Sequence, residues 1–303
     1  MAVTSVAHQP GTPVPTQAAA RRSRGWTPYL LLLPGLLWLG VFFVVPLVTL
    51  LGTSTQTAAP SGETGAFVQT FRLANYWDAL QAYQAQFLRS FLYAGIATVL
   101  ALLISYPLAY AIAFKVGRLR NILLVLVVAP FFCSFILRTL AWRQILADEG
   151  FVVSTMKSLH LIGDTTTLTA SSVAVVAGIT YNFLPFMTLP LYASLERIDP
   201  RLMEAGGDLY AGAFTVFRKV TLPLSMPGVV AGTLLTFIPA AGDYVNAQLL
   251  GNPGTSMIGN VVQARFFTIV DYPTAAVLSF LLMIAILVLV SLYIRRTGTE
   301  ELV

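Results

Sequence analysis

Six stretches of this chain are each apolar for about twenty residues or more, and no other feature constrains its fold as strongly. They run from Pro28 to Gly52, about Phe87 to Phe114, Ile122 to Trp142, Ser171 to Leu195, Pro227 to Leu250 and Thr274 to Ile294. At 1.5 Å rise per residue, ~20 helical residues cross a ~30 Å hydrocarbon layer. Backbone amides in lipid must be satisfied internally, which selects helices for such segments. The pattern therefore predicts an all-α, polytopic membrane protein with six transmembrane helices. Composition agrees: 56% of the 303 residues are hydrophobic and 10% are charged, against roughly 25% charged in an average soluble protein. A soluble enzyme, a disulfide scaffold and a nucleic-acid binder are excluded.

Residues 1–27, rich in Pro, Ala, Thr and Gln and carrying Arg21, Arg22 and Arg24, read as a disordered basic tail. The apolar run after them exceeds the h-region of a signal peptide, so it reads as an uncleaved first span. Residues 28–296 form the membrane domain, with a core at 87–296, and 297–303 form a short tail. Counting Lys and Arg in alternate loops gives twelve on one side and six on the other. The positive-inside bias then places both termini in the cytoplasm of a bacterial-type plasma membrane. Trp26, Tyr29, Trp142 and Tyr293 fall at span ends, as interfacial aromatics do.

The expected inner loop between the fourth and fifth spans is long and polar. Asp199 before Pro200 is a helix start, an N-cap carboxylate followed by proline at the first helical position. Leu202, Met203, Gly206 and Leu209 share an apolar or small face, while Glu204 and Asp208 form an acidic strip at i, i+4. Gly206, Gly207 and Gly212 loosen the chain for a turn. Phe214, Phe217, Val220 and Thr221 make a second short amphipathic segment that Pro223 is expected to stop. Such a helix, turn and helix suits a partner protein's groove. The alternative is an interfacial helix on membrane lipid, although two exposed carboxylates do not favour anionic headgroups.

Glu204-Ala205-Gly206, followed by Val220, Leu222 and Pro223, resembles the EAA loop of permease subunits in binding-protein-dependent ABC importers. In that family the loop is a cytoplasmic coupling helix that docks in a cleft of the ATPase. The resemblance implies that Glu204, Ala205, Gly206, Gly207, Asp208, Leu209, Tyr210 and Gly212 form the ATPase-docking segment. Gly206 replaces the second Ala of the family pattern, and Tyr210 replaces its turn Gly. Tyr adopts φ > 0 at a cost that Gly avoids, so the bend is expected at Gly207 or Gly212. Arg138-Thr-Leu-Ala-Trp142, Pro239-Ala-Ala-Gly-Asp243-Tyr244-Val245 and Met257-Ile-Gly-Asn260 with Phe266, Asp271 and Pro273 are similar to the spermidine/putrescine permeases. The likeness extends from Tyr29 to Arg296. It implies two ATP-binding cassette ATPase subunits, a second permease subunit, an extracytoplasmic solute-binding protein and a polyamine substrate. Arg265 stands where such permeases often carry Gln, adding a cation near the expected outer mouth.

Asp243 is the only acidic residue well inside an expected span. Intramembrane ionisable groups usually face a cavity or partner. Asp243 can therefore replace the hydration of an ammonium group, with Tyr244, Tyr181 and Asn182 adding cation–π or hydrogen-bond contacts; alternatively it pairs with an arginine such as Arg138. Arg89 and Arg138 are expected to snorkel from span ends. Phe131, Phe132 and Phe135 read as packing or lipid-facing residues. The chain contains no GxxxxGK[ST] phosphate loop, and neither His8 nor His160 has partners in sequence for a metal or nucleophilic site. No enzyme activity and no cofactor are expected. The alternatives are the same machinery carrying another small solute and, from another class, a carrier or channel working without an ATPase.

Overall fold

A computed structural model describes residues 27–60, 63–160, 162–163, 167–208 and 212–297. Both expected tails lie outside these residues except Thr27 and Thr297, which are the ends of described helices. The chain divides into two compact units between Val48 and Thr49.

The first unit holds most of α1 (Tyr29–Ser54), the first apolar run. A single wide π turn at Gly40–Val44 carries the Val45 amide to the Gly40 carbonyl. Pro46 follows one residue later. Proline has no amide to donate and its ring crowds the carbonyl four residues back, so a widened turn ahead of it accommodates both effects.

In the second unit a small antiparallel hairpin, β1 (Gln56–Ala58) and β2 (Phe67–Gln69), pairs Thr57 with Val68. It is the only sheet among the described residues. Next comes α2 (Ala74–Phe114), 41 residues long with non-helical torsions at Tyr83. It starts thirteen residues before the expected span, because the polar stretch from Asn75 to Gln86 is helical without being apolar. Ile122–Trp142 is not one straight helix. A segment at Gly117–Phe132, containing α3 (Arg120–Val128), meets α4 (Phe135–Ile145) at 98° across Cys133 and Ser134. The short α5 (Phe151–Ser158) follows, and then α6 (Ser172–Glu196), whose Ser171 hydroxyl caps the Ala174 amide.

After α6 come α7 (Pro200–Asp208) and α8 (Ala213–Leu224), which bends by 63° into α9 (Met226–Ala241). Pro223 does not end the second segment as expected. A π turn at Phe217–Thr221 precedes it, and the break falls at Ser225. The fifth apolar run is also interrupted at Gly242–Tyr244, beyond which α10 (Val245–Leu250) begins. The chain closes with α11 (Ile258–Gln263) and α12 (Tyr272–Thr297). Among the described residues four helices are long and apolar enough to cross a membrane, and up to six segments are if each bent pair counts as one.

The core is organised around α6, the most buried of the four long helices. One cluster gathers Tyr93, Ala94, Ile179, Phe183, Phe237 and Leu250; a second gathers Ala101, Ile112, Met187, Leu191 and Leu195. Small residues let the backbones approach. A Cβ on Gly228 would lie 2.7 Å from the Pro190 carbonyl oxygen, and one on Gly232 would lie 2.8 Å from Met187 Sδ. Close backbone approach at small residues is a means of helix association in lipid.

Candidate functional site

Two groups of residues carry the chemistry anticipated above. In the first, Asp199 Oδ1 accepts the Arg201 amide at 3.0 Å and starts α7, as the Asp-Pro signal indicates. Glu204, Ala205 and Asp208 are exposed on the helix. Gly206 faces α8: a Cβ there would lie 3.0 Å from Val216 Cγ2. The two short helices thus pack through a position that admits little more than a hydrogen. Gly207 is helical, and Gly212 is extended at φ −64° and ψ 155°. Gly212 thus departs from helical torsions immediately before α8. Leu209 and Tyr210 lie outside the described residues. Phe214 is 74% exposed beside this knob.

In the second group, the break at Gly242–Tyr244 positions Asp243. Its Oδ1 accepts the Val245 amide at 2.9 Å, capping α10, and its Oδ2 accepts from Asn246 Nδ2. Asn246 Oδ1 accepts from Asn182 Nδ2 at 3.0 Å and from the Thr139 hydroxyl at 3.4 Å. Asp243, Asn246, Asn182 and Thr139 are all buried. They form one polar chain across α4, α6 and the break. The cost of desolvating these groups is offset because nearly every donor and acceptor is used. Asn182 Oδ1 is the exception, buried with no partner.

Of the four residues expected along a substrate pathway, Asp243 and Asn182 are therefore brought together through Asn246. Tyr181 instead packs on Trp142, with ring centroids 5.4 Å apart. Tyr244, 42% exposed, lines a largely apolar cavity of about 740 Å³ with Phe266, Phe267 and Met283. Its carbonyl accepts from Asn260 Nδ2 at 2.8 Å. Asp243 forms no ion pair with Arg138 among the described residues. The Arg138 guanidinium lies over the Phe131 and Phe135 rings at 5.4 and 5.6 Å, with two buried nitrogens lacking hydrogen-bond partners. Arg138 is half-buried, with aromatic faces beside its guanidinium. Phe132 is 89% exposed. Arg265 is neutralised by Asp271 at 3.0 Å and also donates to the Tyr83 hydroxyl.

Sequence reasoning missed Asn246 and Thr139. Asn246 was within reach, since a side-chain amide three positions after Asp243 can donate to its carboxylate across one helical turn. Thr139 was not, because its partners lie 43 and 107 residues away.

Residues 105–296 match the family described as "Binding-protein-dependent transport system inner membrane component". The spermidine/putrescine transport system permease protein PotB of Escherichia coli strain K12 is 34% identical over 262 residues, covering 86% of this chain and 94% of its own length. The PotB of Haemophilus influenzae is 33% identical over 259 residues, covering 85% and 90%. Among solved structures, a chain of a bacterial ABC transporter involved in import of the acidic polysaccharide alginate superposes with a TM-score of 0.69 at 18% identity. The match covers 90% of this chain and 96% of that one, and shows shared fold. With the apolar helices, these likenesses establish a multi-pass protein of the bacterial plasma membrane. The chain therefore belongs to the binding-protein-dependent transport system inner membrane components, as an ABC-importer permease closely related to the PotB type.

Proposed function

We propose that this permease forms half of a translocation pathway for a polyamine such as putrescine or spermidine, with α7 as the coupling helix that an ATPase subunit grips. The observation that carries the substrate is the 34% identity to PotB across 86% of the chain. The Arg265–Asp271 pair supports it, since the extra cation is balanced and leaves no net charge there to repel a polycation. Both termini and α7 lie in the cytoplasm, as the distribution of Lys and Arg favours. ATP hydrolysis resides in a separate subunit, and an extracytoplasmic binding protein delivers the substrate to the opposite face. A second permease completes the pore.

In this mechanism closure of the ATPases displaces α7. The exposed Glu204 and Asp208 offer charge to the motor, while Gly206 against Val216 transfers the displacement to α8 and the bend at Ser225. Kinked segments then rock, opening the pathway alternately to each side. The test is ATP-dependent accumulation of radiolabelled putrescine and spermidine in proteoliposomes holding the complete importer. Accumulation of either at micromolar supply is the expected result. Failure with both, alongside ATP-driven uptake of another solute, overturns the substrate assignment; uptake without any ATPase overturns the coupling role.

A further inference from the structure

Arg120 and Glu196 form an ion pair between the first residue of α3 and the last residue of α6. Both positions oppose their helix dipoles. A helix N-terminus carries partial positive charge and a C-terminus partial negative charge, so a cation at the start of α3 and an anion at the end of α6 are each disfavoured within their own helix. Neither charge is explained by local helix stability. Bringing the two ends together compensates both.

The junction has more than one contact. The Arg120 guanidinium also lies over the Tyr192 ring, 5.2 Å from its centroid, the face-on geometry of a cation–π contact. Tyr192 is buried in the cluster of Ile112, Leu191 and Leu195, against which Leu123, Leu124 and Val127 of α3 pack. Arginine's planar head can meet a carboxylate and an aromatic face at once, which lysine's point charge does not reproduce. Glu196 stands four residues before Pro200, where α7 begins.

We infer that Arg120 and Glu196 are positioning residues for transport. They fasten α3 to the end of α6, so that displacement of α7 is carried into the bent Gly117–Ile145 segment as well as into α8. The inference rests on the proposed coupling role of α7. Without the fastening, α7 reaches the 98° bend only through slower, looser packing contacts, and ATP hydrolysis proceeds with less transport.

The test uses the full importer with Arg120→Gln, Glu196→Gln and the exchange Arg120→Glu/Glu196→Arg. Three quantities are read: copurification of the ATPase, putrescine taken up per ATP hydrolysed, and the distance between spin labels at Val125 of α3 and Leu189 of α6, with Cys133 replaced by Ala. The single variants are expected to retain the ATPase, to lose uptake per ATP by about threefold, and to broaden the label distance distribution. The exchange restores both. Arg120→Lys gives intermediate coupling. Single variants with parental coupling and label distances overturn the inference, as does an exchange that leaves the defect unchanged. Loss of the ATPase in Glu204→Lys but not in these variants separates fastening from docking. If the parent complex accumulates no putrescine, the substrate assignment fails, while the label distances still decide the fastening.

Discussion

The knob at α7 and the polar chain around Asp243 both concentrate polar groups in an apolar protein, yet they are built oppositely. Glu204 and Asp208 are exposed, with no ion pair within the described residues. Asp243 is buried, and each of its oxygens accepts a hydrogen bond from within four residues of sequence. A carboxylate left open to solvent retains its hydration until a partner replaces it, whereas one enclosed by donors is already committed. The knob is suited to changing partners during a cycle, and the break at Gly242–Tyr244 to holding one geometry.

The largest expected effect comes from reversing charge on the knob. Glu204→Lys removes uptake while the chain still inserts. Losing one partner of an interface charge pair costs roughly 2–5 kcal/mol, so ATPase copurification falls by more than about tenfold; coupled uptake at the parental rate would remove the docking role. The buried side is broken by Asn246→Ala, which strands Asp243 Oδ2 and leaves Asn182 Nδ2 with the Thr139 hydroxyl alone. At roughly 1–3 kcal/mol for each unsatisfied buried group, thermal unfolding in detergent shifts sharply downward, and an unchanged midpoint would show that the polar chain contributes nothing. Asp243→Asn sharpens the contrast further: one oxygen still caps α10, so putrescine uptake falls more than expression does, and a parallel loss of both assigns Asp243 to structure. The smallest effect is expected at Gly212→Ala. Its φ suits alanine and a Cβ meets nothing within 4 Å, so stability changes by about 1 kcal/mol or less, in the stabilising direction, measured by the same melting experiment.

The positions of the apolar segments and the start of α7 were legible because each rests on local signals: run length for the former, Asp199 followed by Pro200 for the latter. The breaks were not. Pro130 marks Ile122–Trp142 as a segment that can kink, but hydropathy carries no information about direction, so neither the 98° angle nor its place at Cys133–Ser134 could be read. Asp243 was legible as a buried acid but not as a cap, because an apolar run was read as an uninterrupted helix. The contact of Asn182 with Asn246 spans 64 residues and depends on α6 packing beside α10, which no single segment announces. The ring contacts of Arg138 were hidden for a related reason: Phe131 and Phe135 lie on either side of the bend.

The glycine contacts of α9 on α6 have a mechanical consequence. With Gly228 against Ser194 Cβ and the Pro190 carbonyl, and Gly232 against Met187, these two helices approach so closely at those points that not even one added methyl group fits between them. Packed interiors shift between discrete arrangements and do not deform smoothly. Under the proposed mechanism the seam is expected to turn as one plank, with the freedom to alternate at the joints at its margins, Ser225 at one end and Gly242–Tyr244 at the other.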